Sequence, residues 1–113
     1  MNGNITRWLQ SSVGLQGRLH WRQVVGGLSN ITYVVTDETG RRVVVRRPPE
    51  GKLTGGAHDV LREARILAAL RSTAVPVPAV LAVCPDPAVA GVPFYVMEHA
   101  AGAVLDSAES ARR

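Results

Sequence analysis

The run VVGGLSNITYVVTDETGRRVVVRR, residues 24–47, limits the fold more than any other part of the chain. Two β-branched runs flank a loop of small residues, and a third run of valines ends in paired arginines. β-Branched residues suit a pleated, half-buried surface. Asp37-Glu38-Thr39-Gly40 is a hairpin turn signal. The spacing predicts an antiparallel meander of three strands, Trp21–Val25, Ile31–Thr36 and Arg41–Arg46. Gly26, Gly27, Ser29 and Asn30 fill the first loop. Backbone N–H groups in such a loop can form an anion-binding concavity. Glycine also lets another group approach the backbone closely. With a fixed cation delivered by the next strand, this arrangement suits a polyphosphate. It equally suits an ordinary tight hairpin beside a basic edge, because Gly-rich loops are common.

The rest of the chain supplies layers for that meander. Residues 4–13 predict a short helix that Asn4 or Thr6 can cap and that Trp8 and Leu9 pack onto the body. Pro48 and Pro49 stop the third strand, and a glycine-containing loop follows over 50–56. Ala57–Arg71 is the clearest helix, with Val60, Ala64 and Leu67 at helical spacing. Asp59 falls in its first turn and Arg71 in its last, as the helix dipole favours. Glu63 lies three residues after Val60 and four before Leu67, on the border of the apolar stripe. A carboxylate there needs a partner. It can find one in Arg46 or Arg47, or on its own helix in Arg62 or Arg65. Two more strands follow, Val80–Cys84 and Pro93–Glu98, separated by a turn-rich loop over 85–91. Val104–Ala111 reads as the start of another helix. The expectation is an α+β single domain over residues 1–113: a five-stranded antiparallel sheet with one packed helix and a short N-terminal helix.

Composition narrows the partners. The net charge is +4, and Lys52 is the only lysine, so the basic groups are arginines that can hold phosphate bidentately. A solvated basic surface is the plainer reading of most of them. Only 4% of residues are aromatic, which argues against a nucleic-acid partner that stacks its bases. No run approaches the roughly 18 apolar residues needed to cross a bilayer, so no membrane partner is expected. Cys84 is the single cysteine and sits in an apolar run, as a buried thiol rather than a nucleophile. No disulfide is possible within the chain, which favours a cytoplasmic location. His58 and Asp59 are adjacent, but His20 and His99 lie far along the chain, so no metal site is expected.

Five segments carry a resemblance to a known family: GGLSNITYVV, VVVRRPPEG, AHDVLREARILAAL, VPVPAVLAVC and GVPFYVMEHAAG. In this order the chain resembles the aminoglycoside phosphotransferase/choline-kinase-like phosphotransferases. It is most similar to the group related to the kinase-like domain of acyl-CoA dehydrogenase family proteins. The resemblance implies the smaller, nucleotide-binding lobe of a protein-kinase-like fold, with ATP as the ligand. Gly26, Gly27, Ser29 and Asn30 would form the loop over the phosphates. Arg46 falls where kinases place the third-strand lysine, and Glu63 would be its helix partner. Strand alternation supports Arg46 over Arg47, because Val44 and Arg46 share one face. Val44 would touch the adenine, and Met97, Glu98 and His99 would form the hinge beside it.

Phosphoryl transfer also needs a base-position aspartate and Mg²⁺ ligands. In the family these lie in a second, larger lobe. None of Asp37, Asp59, Asp86 and Asp106 sits in a matching loop, so that lobe is expected to be absent from the chain and Mg²⁺ to bind only with it. The implied reaction moves the ATP γ-phosphoryl group to a small-molecule hydroxyl, with hydroxyacyl-CoA-like acceptors hinted at by the relatives. The lobe is expected to be inactive alone. The alternative is a non-enzymatic interaction module, or a gene remnant, that needs a partner lobe or associates with itself through exposed apolar surface.

Overall fold

The computed structural model describes residues 3–24, 31–48 and 56–99, with backbone alone for 56–59. Its elements run α1 (Gly3–Ser12), β1 (His20–Val24), β2 (Ile31–Thr36), β3 (Arg42–Arg47), α2 (Gly56–Leu70), β4 (Val80–Cys84), α3 (Pro87–Ala90) and β5 (Phe94–Glu98). The five strands form one antiparallel sheet in the order β1-β2-β3-β5-β4. The α+β architecture expected from the sequence is therefore the observed one. The helix start expected at Val104–Ala111 lies outside the described residues.

The strand order has a simple origin. β3 and β4 run parallel, and joining parallel strands requires a long crossover, which α2 supplies. The crossover leaves a gap one strand wide. β5 turns back into it and pairs with β3 on one side and β4 on the other. β5 is thus buried on both faces, and Phe94, Tyr95, Val96 and Met97 form a continuous apolar run rather than an alternating one.

Alternation along β2 and β3 sorts the core into two layers. On one face Val35, Val43, Val45, Phe94 and Val96 pack under Ile5 and Leu9 of α1 and Ala90 of α3. Trp8 meets the Phe94 ring edge-on at 5.0 Å. Ile5 and Leu9 are one helical turn apart and both fully buried, so Ile5 is an anchor of α1 alongside Leu9. On the other face Val44, Tyr95 and Met97 pack under Val60 and Ala64 of α2.

Several local expectations change. Asn4 lies within α1, where its carboxamide accepts a hydrogen bond from Arg7 at 2.9 Å. Arg71 falls just past the end of α2 and reaches forward to the Val77 carbonyl at 3.0 Å. The loop at 85–91 contains the short helix α3. Asp86 caps it by accepting from the Ala88 N–H, Pro87 opens it, and Gly91 closes it at φ 87°. Cys84 is buried, and that burial pushes its thiol pKa up.

The β2–β3 turn is tied to the loop after α1. Asp37 Oδ1 accepts from the Thr39 hydroxyl and from the N–H groups of Thr39 and Arg41, and Oδ2 accepts from the Gln16 N–H. The Thr39 hydroxyl leads in holding this carboxyl down; burial opposes it, and the backbone donors of Gln16, Arg41 and Thr39 assist, leaving its pKa at about 2 rather than 3.8. The folded value lies below the unfolded one, so the stabilisation is complete above about pH 4 and lost as pH falls through 2. Wild type is expected to melt higher than Asp37→Ala at pH 6, with the gap closing between pH 4 and 2. A gap that stays constant in thermal scans across that window would refute this assignment.

Candidate nucleotide-binding face

The face covered by α2 carries the ionic constellation. Thr32 of β2, Arg46 of β3 and Tyr95 of β5 stand side by side, because the register pairs Thr32 with Arg46 and Arg46 with Tyr95. Val60, Ala64 and Leu67 hold α2 on the sheet. Glu63, one turn from Val60 and Leu67, therefore points at the same row. Arg46 Nη1 lies 3.0 Å from Glu63 Oε1. Arg46 Nε donates to Thr32 Oγ1 at 3.2 Å, and Nη1 also donates to the Tyr95 hydroxyl at 3.4 Å. The Tyr95 hydroxyl in turn donates to Glu63 Oε1. Side-chain exposures of 21% for Arg46 and 34% for Glu63 leave the pair reachable from solvent.

The electrostatics follow from this packing. Burial disfavours the Arg46 charge, but Tyr95 and Glu63 outweigh it and the guanidinium is held more firmly protonated than usual. Burial is also the main reason that the Tyr95 phenol is pushed above its ordinary range, with Glu63 adding to the effect and Arg46 opposing it. The phenol therefore stays a neutral donor to Glu63 throughout the physiological range. A guanidinium has five N–H donors. Those on Nε and Nη1 are engaged here, and no bond to Nη2 occurs among the described residues.

Arg47 is on the other face. Its guanidinium carbon lies 5.9 Å from the centre of the Tyr33 ring, and the residue is 8% exposed. The two adjacent arginines have thus been sent to different layers of the protein. Of the four partners open to Glu63, the structure joins it to Arg46.

The remaining site residues fall as follows. Gly26, Gly27, Ser29 and Asn30 lie outside the described residues. Val44 and Met97 are on the Arg46 face, and both side chains are buried beneath α2. The Glu98 N–H donates to the Ala79 carbonyl at 2.9 Å. The Glu98 carboxylate accepts from the Ala79 N–H at 2.9 Å and lies 3.6 Å from Arg71. His99 follows β5, half-buried. Burial, then Arg42 and Arg22, lower its pKa. Thr32 and Tyr95 are the members that sequence reasoning missed. Both are ordinary strand residues until the β2–β3 and β3–β5 registers set them beside Arg46.

A five-stranded antiparallel sheet whose third strand presents a cation to a helix carboxylate is the smaller lobe of a kinase-like fold. The chain belongs to the phosphotransferase enzyme family, whose model matches residues 20–113. It is similar to a solved aminoglycoside phosphotransferase candidate from Ralstonia eutropha JMP134, with a TM-score of 0.71 and 33% identity, over 90% of this chain and 28% of that one. Among curated proteins it is 37% identical over 102 residues to acyl-CoA dehydrogenase family member 10 of Mus musculus. It is 40% identical over 92 residues to family member 11 of Gallus gallus. These matches take in 88% and 81% of this chain, but only 9% and 12% of those relatives.

Proposed function

We propose that this chain is the ATP-binding lobe of a phosphotransferase that moves the ATP γ-phosphoryl group to a small-molecule hydroxyl, and that it needs a second lobe for chemistry. The observation that carries this reading is the Arg46–Glu63 pair at 3.0 Å, built between β3 and α2 on one face of the sheet. Arginine matches phosphate with a planar fork of donors. With Nε and Nη1 committed to the protein, the Nη2 edge is the part of Arg46 suited to a phosphate oxygen. The loop containing Gly26, Gly27, Ser29 and Asn30 would cover the phosphates, and the hinge at Glu98 and His99 would lie towards the base. Among the described residues no group of His, Cys, Asp or Glu could hold a metal ion. For the acceptor we propose a hydroxyacyl-CoA-like molecule, in keeping with the similarity to acyl-CoA dehydrogenase family members. A lone buried Cys84 suits a reducing cytoplasm.

A second reading is a partner-binding module, through a separate second lobe or a further copy of the chain. It is favoured by β4, an edge strand with Leu81 and Val83 exposed. Beside it lies an apolar cleft of about 260 Å³ between α2 and β4, lined by Leu61, Ala64, Val80 and Val83 among others. Unpaired strand edges and apolar patches attract other chains.

Titration of the chain with Mg·ATP, followed by backbone and arginine side-chain NMR, separates the two. Saturable shifts at Arg46, Thr32 and residues 26–30 are expected. A folded chain that shows no shift at millimolar ATP would overturn ATP binding by this chain and leave the partner-binding reading in front.

A further inference from the structure

We propose that Tyr95 is a positioning residue for Arg46: its hydroxyl, together with Thr32, fixes the guanidinium so that the Nη2 edge faces the ligand. The ligand half of this inference rests on the nucleotide reading above; the positioning half does not. Three groups from three elements hold one guanidinium: Thr32 on Nε, and Glu63 and Tyr95 on Nη1. The Tyr95 hydroxyl bridges the ion pair, accepting from Arg46 and donating to Glu63. An ion pair alone leaves an arginine free to rotate about its long stem. A planar fork held at Nε and Nη1 has its third nitrogen fixed in direction.

The same geometry accounts for arginine at a position where the resemblance leads one to expect lysine. A lysine ammonium has a single nitrogen with three donors. Turned to Thr32, Glu63 and Tyr95 together, it would have no N–H left to direct outward. Arginine satisfies all three and, among the described residues, keeps two donors on Nη2. The plainer role for Tyr95 is packing, since its ring is fully buried with Met97 under α2. Tyr95→Phe keeps that ring and removes only the hydroxyl, so it separates the two roles.

The test has two readouts on the full chain. The first needs no ligand: exchange of the Arg46 Nε–H with water, by NMR. It is expected to be slow in wild type and at least several-fold faster in Tyr95→Phe, with Thr32→Val as a second variant acting on Nε directly. The second is Mg·ATP affinity. Tyr95→Phe should weaken it about 3- to 10-fold, the range for one lost hydrogen bond. The same change in an Arg46→Ala background should have no further effect, because positioning has nothing left to position. Unchanged Nε–H exchange in Tyr95→Phe overturns the inference, whatever Thr32→Val does. So does equal weakening in both backgrounds. If wild type shows slow exchange that Tyr95→Phe relieves, yet no Mg·ATP binding, then the nucleotide reading fails and the positioning of Arg46 stands.

Discussion

Replacing Phe94 by alanine is expected to destabilise the fold by about 3–5 kcal/mol, the range for truncating a buried aromatic. Phe94 is fully buried at the start of β5, the strand on which both halves of the sheet depend. Its ring packs edge-on to Trp8 and lies in the layer that holds Ile5 and Leu9 of α1. The substitution therefore opens a cavity and loosens α1 at once. In a chain of this size, each kcal/mol is worth roughly 4–8 °C in melting temperature. Val83→Ala on the edge strand, 42% exposed, is the control and should stay within about 1 kcal/mol of wild type. Urea denaturation followed by circular dichroism measures both. A loss under about 1 kcal/mol for Phe94→Ala would contradict the packing of α1 and β5 described here.

The second large effect is a division of labour between neighbouring arginines. Arg46→Ala is expected to weaken Mg·ATP binding about 10- to 100-fold, since hydrogen bonds to charged groups are worth about 1.5–3 kcal/mol. Arg47→Ala should leave affinity within about twofold of wild type. It should instead cost about 1–2 kcal/mol of stability, because its stem is buried and its guanidinium stacks on Tyr33. Calorimetric titration of each variant gives the first quantity, and denaturant melts give the second. Equal losses of affinity in the two variants would remove the assignment of the faces.

That division was half legible in the sequence. Alternation along VVVRR requires Arg46 and Arg47 to point to opposite faces. It does not say which face meets α2. Helical spacing likewise put Glu63 at the border of an apolar stripe, but it left Arg46, Arg47, Arg62 and Arg65 all open as partners. Local periodicity fixes a direction relative to the element, and only docking of that element turns direction into contact. The short helix α3 was hidden for a different reason. Its four residues carry no periodicity, and only the cap at Asp86 and the left-handed Gly91 reveal it.

The strands, the two longer helices, the turn at Asp37–Gly40 and the opposition of the two arginines were legible in the residues alone. Each depends on interactions within a few residues: β-branching, turn chemistry, and periods of 2 and 3.6. The tertiary structure alone decided that β5 inserts between β3 and β4, and hence that Tyr95 stands beside Arg46. Those residues are far apart in the chain. Their pairing is set by which strand fills the gap left by the α2 crossover, a choice made by burial of the whole sheet and by no local signal.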